Sequence, residues 1–516
     1  MIYRSRVSGL RIPRTHLSDH VLADARLRGQ KEAVIDAATG EVLTYQDLVR
    51  DADRGAAALA AAGVLPGDVV AVMSHNQPRF AVAVHATLRA GAAVSPLNPA
   101  LTVGEIVKQL MDSRARVLLV AQPFANKGLE AAQRAGMREV FVIGTYPEHG
   151  SWDELVAGVL PAPPPLDADP DHALAALPYS SGTTGASKGV MLTHRNIVAN
   201  LEQLRLAWQM SEKDVLCAAL PFFHIYGLTI ILNAGLLAGA TIVTLPRFGL
   251  RPFLGAVQRY GVTRGHLAPP VVLDLAQAAE IDEYDVSSMR TAVSGAAPLD
   301  EELAARAEER IGCVIRQGYG MTEASPGTHC VHDEDFPVTP PGSVGRLLPD
   351  TEARLVDPGS GMDVEPGDAG ELWVRGPQVM AGYLADSEAT AATLTDGWLR
   401  TGDIARVDDQ GNFFVVDRLK ELIKYKGYQV APAELEAVLL AHPDVADAAV
   451  VAVPHPTGGE APKAFVVTGR AVAPQELLDW VAARVAPYKR IRSVEFIDAI
   501  PKSPAGKILR RKLKNS

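Results

Sequence analysis

Apolar positions along the first third of the chain alternate between two spacings. Short runs such as Val69-Val-Ala-Val-Met73, Ala92-Ala-Val94 and Val117-Leu-Leu-Val120 are separated by Ala/Leu-rich stretches with helical spacing, among them Arg79 to Leu88. A short apolar run bounded by turn residues marks a strand buried on both faces, and strands alternating with helices build βαβ units. From Val34 to about Ile143 the pattern predicts a doubly wound sheet, and Thr44-Tyr-Gln-Asp47 opens one of its helices, with Thr44 as cap and Asp47 at the positive dipole end. From Gly342 to Val416, Gly/Pro/Asp turns between short runs such as Glu371-Leu-Trp-Val374 predict a β-rich subdomain. Beyond Asp417 a smaller unit is expected, with helices from about Ala433 and over Gln475 to Val485, and strands near Ala449–Val453 and Ala464–Val467. The expected fold class is α/β: a large N-terminal domain of doubly wound sheets with a β-rich subdomain, and a small α+β C-terminal domain.

Composition narrows the class. At 516 residues, 47% hydrophobic and 21% charged, the chain is a globular protein of more than one packed unit. Cys217, Cys313 and Cys330 have no paired spacing, which argues against a disulfide framework or thiolate zinc site and for a reducing, cytoplasmic setting. Arg4, Arg6, Arg11 and Arg14 are followed by no apolar segment of a secretory signal. The uncharged run from Ile225 to Leu245 holds Gly227, Asn233, Gly235 and Gly239, which suits a buried helix, a turn and a strand better than a membrane span. Net charge is −10, but from Leu419 onward there are 15 Lys and Arg against 10 Asp and Glu, a basic end on an acidic body. Such an end suits a lid that approaches polyanions. The closing run Lys507 to Lys514 reads as a solvated tail, and no nucleic-acid motif accompanies it.

Candidate chemistry concentrates in Tyr179-Ser-Ser-Gly-Thr-Thr-Gly-Ala-Ser-Lys-Gly-Val190. Glycines let backbone N–H groups converge on an anion, hydroxyls add donors and Lys188 adds charge, although a plain surface turn has the same composition. The spacing is not that of a Walker A loop. Further along stand Pro221-Phe-Phe-His-Ile-Tyr-Gly227, Val293-Ser-Gly-Ala-Ala-Pro298, Gln317-Gly-Tyr-Gly-Met-Thr-Glu323, Trp398-Leu-Arg-Thr-Gly-Asp403, Asp417-Arg418 through Pro432, and Pro501-Lys-Ser-Pro-Ala-Gly-Lys507. Small residues after strand ends let a flat ring lie against backbone at a sheet edge. Asp403 after Gly402 reads as turn chemistry.

In this order the segments resemble the adenylate-forming superfamily: acyl-CoA synthetases, 4-coumarate:CoA ligases, beetle luciferases and stand-alone adenylation domains. The resemblance spans nearly the whole chain; one departure is Ser187, where the family usually has proline before the lysine. It implies an AMP-binding domain over residues 1–418 with the acyl and ATP sites, and a mobile lid over 419–516. ATP and AMP would be held by Ser181, Gly182, Thr183, Thr184, Gly185 and Lys188 in the loop. Gly295, Ala296, Ala297, Gln317, Gly318, Tyr319, Gly320 and Thr322 would hold the adenine and phosphates, and Asp403 and Arg418 the ribose. Glu323 would hold Mg2+. His224, Tyr226 and Gly320 would line the acyl pocket, with His224 beside the substrate carboxylate, and Lys420 would be the hinge. Lys507 would serve adenylation; Lys424 and Gln429 would serve thioester formation, with Lys426 and Gly427 along the CoA channel.

The implied activity is that of an ATP-dependent carboxylic acid:CoA ligase, which makes an acyl-AMP with release of pyrophosphate and then an acyl-CoA. The acid is fatty or aryl, of the hydroxycinnamate type; malonate-type acids fit less well because no arginine stands in the pocket segments. Alternatives are an adenylation enzyme loading a separate carrier protein and a non-catalytic nucleotide-binding homologue. Partners are the acid, ATP and CoA, with no nucleic acid and no transmembrane segment; monomer and homodimer both remain open.

Overall fold

The computed structural model describes residues 1–516 except 148, 163–165, 182–186, 426–427, 456–458, 504–505 and 515–516. The alternating pattern of the first third becomes parallel strands Val69–Met73, Ala93–Leu97, Val117–Ala121 and Glu139–Ile143, all in one nine-stranded sheet. Helices Tyr45–Ala61, Pro78–Arg89, Val103–Ser113 and Ala125–Arg134 lie between and around them in sequence. Thr44 caps the first of these, its side chain accepting from the Asp47 N–H. A second sheet of seven strands runs in the order Val314–Gln317, Thr291–Ser294, Arg264–Leu267, Val215–Ala218, Thr241–Thr244, Glu32–Asp36, Val42–Thr44, parallel except for its last pair.

The uncharged run is a π-helix Tyr226–Asn233, a helix Ala234–Ala238 and the strand Thr241–Thr244, buried except for the half-buried Leu237 and Ala238. No described helix is long and apolar enough to cross a membrane. The Gly/Pro-rich region forms a six-stranded antiparallel sheet built on Glu352–Val356, Gly370–Arg375, Trp398–Val407 and Phe413–Arg418. One large core joins these layers, running from Leu17 to Phe413.

The C-terminal part has a core of its own, from Ile423 and Leu435 to Val481 and Ile491, around a five-stranded sheet. Its helix Pro432–Leu440 begins at proline, as a first-turn position allows, and the Ala433 N–H is satisfied by Asp417 Oδ2 at 3.0 Å. The second helix, Pro474–Ala482, ends before Val485.

Two expectations need correction. Asp403 does not lie in a turn: it is inside the strand Trp398–Val407. Glu371 faces Ile404 while Trp373 faces Arg400, so Thr401 to Asp403 bulge opposite Leu372, and Gly402 at φ +70° supplies the bend. Nor is the closing basic run a solvated tail. It folds as the helix Arg510–Lys514, with Leu513 buried and the Arg510 side chain among carboxylates. A run of charges in sequence could not show that one of them has partners elsewhere in the C-terminal part.

Candidate active site

Strand order in the seven-stranded sheet reverses around Val215–Ala218, and such reversals open a crevice at the carboxyl ends of the strands. There Leu267, Ser294 and Gln317 end side by side in register. The segment Pro221–Gly227 follows Val215–Ala218 over the same edge. Gly227 is obligatory, because a Cβ would sit 2.2 Å from the Pro221 carbonyl oxygen. Tyr226 is buried, its hydroxyl donating to Val293 O at 3.3 Å, and it packs on Gly295, where a Cβ would come within 2.8 Å of its ring. The His224 Nδ1 accepts from the Tyr226 N–H at 3.3 Å, and burial pushes this imidazole down to about 4, so it is neutral at pH 7.

The Gly295 N–H is bonded to Leu267 O, and Ala296 is held at φ +73°, an uncommon conformation for a residue with a Cβ. Gln317 clamps this loop rather than reaching outward: its amide donates to Leu299 O at 3.1 Å and its carbonyl accepts from Leu299 N at 3.0 Å. Gly318 and Gly320 flank Tyr319, and Gly320 passes so near Pro326 that a Cβ would lie 2.1 Å from its carbonyl oxygen. Ala297 and Thr322 are half-buried at the same edge.

Tyr319, Asp403 and Arg418 meet. The Tyr319 hydroxyl donates to Asp403 Oδ2 at 2.6 Å, and Arg418 Nε lies 3.2 Å from Oδ1. Burial raises the Asp403 carboxyl, opposed by Arg418, the Tyr319 bond and Lys507. Lys507 arrives from the C-terminal unit. Burial and then the Arg418 charge bring its ammonium down to about 8, against the pull of Glu421 and Asp403. Its loop is closed by Ser503, which donates its N–H to Lys507 O and accepts the Lys507 N–H on Oγ. Gly506, at φ +82°, rests on Pro270 at the start of the helix Pro269–Gln277.

Gly182, Thr183, Thr184, Gly185, Lys426 and Gly427 lie outside the described residues, as do the side chains of Ser181 and Gln429. The loop's flanks are antiparallel strands, Ser180 facing Lys188. Lys188 Nζ is 3.5 Å from Asp386 Oδ2 and 5.1 Å over the Tyr383 ring. Glu323 is buried, and both Ser180 Oγ and the Tyr383 hydroxyl donate to its Oε1 at 2.9 Å. Among the described residues its Oε2 accepts no hydrogen bond, so a hard cation that prefers oxygen fits there.

Lys420 stands exposed in the turn after Phe413–Arg418. Lys424 and Gln429 are cross-strand partners on a hairpin, with Lys424 exposed and its N–H given to Glu460. Ser180, Tyr383, Asp386 and Asp417 had drawn no role from sequence. Ser180 adjoins the loop and Asp417 opens the segment Asp417 to Pro432, so position could have marked them; Tyr383 has no local signal, because Glu323 and Lys188 are remote in the chain.

Tyr319, Asp403, Arg418 and the incoming Lys507 cluster at this crevice. Residues 22–384 match the AMP-binding enzyme family and residues 434–507 the AMP-binding enzyme C-terminal domain. The chain belongs to this family. It is 43% identical to 4-coumarate–CoA ligase 5 of Oryza sativa subsp. japonica, over 99% of this chain and 97% of that one. The fold is similar to that of ATP-bound MatB from Rhodopseudomonas palustris, with a TM-score of 0.88 and 32% identity over 97% of this chain and 99% of the other. It is equally similar to the anthranilate CoA ligase AuaEII in complex with anthranoyl-AMP, at 0.89 and 27% over 98% of each.

Proposed function

We propose that the protein is an AMP-forming acid–thiol ligase that joins an aryl acid of the hydroxycinnamate type to CoA. The observation that carries the reading is the approach of Lys507 to Asp403 and Arg418 in a chain 43% identical, end to end, to a 4-coumarate–CoA ligase. A carboxylate repels nucleophiles and needs a better leaving group before a thiol can attack it. An oxygen of the acid attacks the α-phosphorus of ATP, the bond to pyrophosphate breaks, and acyl-AMP forms. Charge gathering on the phosphoryl oxygens is offset by Lys507 on one side and Lys188 on the other. Asp403 takes the ribose hydroxyls, and Tyr319 lies along the adenine. Neutral His224 offers the acid a hydrogen bond rather than a charge. Mg2+, held by Glu323, would supply further neutralisation of the phosphates when bound. CoA thiolate then attacks the acyl carbon and AMP leaves; in this step Lys424 and Gln429 would face the site after the lid, residues 419–516, turns about Lys420.

The aryl assignment is supported by the relatives named for 4-coumarate and anthranilate. A cytoplasmic setting is supported by three free, buried cysteines. A panel of carboxylic acids, read by pyrophosphate release with and without CoA, tests the proposal. Hydroxycinnamates should be turned over well above long-chain fatty acids, with thioester only when CoA is present. Preference for fatty acids would overturn the substrate class, and acyl-AMP that never reaches CoA would favour a carrier-protein thiol.

A further inference from the structure

Tyr383 sits where the loop lysine and the buried glutamate come together. It pairs with Val190 on the strand that carries Lys188, so its ring is fixed to the same backbone as the loop. Its hydroxyl reaches Glu323 Oε1 at 2.9 Å, and its ring face lies 5.1 Å from Lys188 Nζ. The same oxygen takes a second bond from Ser180 Oγ. Two donors on one carboxylate oxygen fix the group's rotation and turn its other oxygen away. Lys188 is meanwhile held near Asp386, whose carboxylate is itself ordered by capping the helix Ser387–Thr393 through the Ala389 N–H.

We propose that Tyr383 is a positioning residue that couples the two halves of the nucleotide site: its ring sets the Lys188 ammonium toward phosphate, and its hydroxyl turns Glu323 so that Oε2 faces a divalent cation. The inference rests on the proposed roles of Lys188 and Glu323. A cation over an aromatic face keeps its freedom to pivot, because the attraction is broad, so Lys188 can leave Asp386 for an incoming phosphate without losing the ring. The hydroxyl reaches the metal side of the site through Glu323, so its loss should be felt chiefly where a metal is present.

Calorimetric titration of ATP into the full-length protein, in excess Mg2+ and separately in EDTA, without acid or CoA, reads both halves without turnover. Tyr383→Phe keeps the ring: affinity in EDTA should stay within about twofold, while the advantage conferred by Mg2+ falls about tenfold. Ser180→Ala should show the same metal-dependent loss by a different route. Tyr383→Leu should in addition lose about fivefold in EDTA. Glu323→Gln is the control for the underlying reading. If it removes the Mg2+ advantage while Tyr383→Phe weakens ATP equally in both media, the hydroxyl has a general structural role and the proposal is overturned. If Glu323→Gln leaves the Mg2+ advantage intact, the metal role of Glu323 fails and the coupling falls with it. Thermal unfolding of each variant identifies any that has lost its fold, and Ser180→Ala then decides the hydroxyl arm.

Discussion

Lys507 sits nearer its neutral form than an exposed lysine, which gives its role a pH signature. Below about 8 the ammonium is charged and can neutralise the phosphates; above it the free enzyme loses that charge. Adenylation, followed as kcat/KM for ATP, should be flat on the acidic side of this value and fall about tenfold per pH unit above it. His224, neutral from about 4 upward, should contribute no limb near pH 6 or 7. Lys507→Ala should slow acyl-AMP formation about 10²- to 10³-fold, remove the alkaline limb and leave conversion of supplied acyl-AMP to thioester intact. A limb that survives the substitution would assign it to another group. Ser187 illustrates what a single residue does and does not reveal. Its departure from the family's proline is visible in sequence, but not its cross-loop bond from Oγ to Ser180 O at 3.2 Å. Because Ser187 pairs with Ser181 in an extended ladder, proline there would lose that bond and need φ near −65°. Ser187→Pro should therefore give no stabilisation and cost up to about 1 kcal/mol, read by denaturant unfolding; a clear gain would show the neck of the loop to be already proline-like.

Elements were legible in sequence wherever the apolar period was strong, and their contacts were legible only where partners are close in the chain. The strands Val69–Met73 and Val117–Ala121 and the Thr44 cap follow from local pattern. Arg510 does not. Its guanidinium donates to both oxygens of Glu436 at 2.7 Å, pairs with Glu421 and bonds Val450 O, and these partners lie 60 or more positions away. The helix Arg510–Lys514 is thereby tied to the turn beside Lys420 and to the helix Pro432–Leu440, three positions after Lys507. Breaking a buried pair from one side strands the other charge, at a cost of about 3–5 kcal/mol. Arg510→Gln should thus loosen the lid specifically: hydrogen exchange should quicken around Val445–His455 and Pro432–Leu440 and stay slow in the nine-stranded sheet. Uniform quickening would mean that the lid and the body unfold as one unit.

At the scale of the molecule, the uneven charge in the sequence acquires a geometry. The basic lid faces an acidic body: Lys512 adds to the Thr102 bonds that lower the Glu105 carboxyl, and Lys502 opposes the burial that raises Asp274. The lid therefore stands with Lys507 turned into the crevice and Gly506 against Pro270. Gly506 does two things that only glycine does cheaply, adopting φ +82° and allowing contact where a Cβ would be 2.8 Å from Pro270 Cδ. The first matters to the lid alone; the second matters only in this docked arrangement. Gly506→Ala should lower adenylation about 5- to 150-fold, from the roughly 1–3 kcal/mol of strain and contact, while supplied acyl-AMP is still carried to the thioester. Adding Pro270→Ala removes the contact but not the φ strain, so the double variant should recover part of the adenylation rate and none of the lid's intrinsic loss. Equal loss of both half-reactions, with no recovery in the double variant, would mean that Gly506 shapes the lid itself and that docking on Pro270 contributes nothing to the first step.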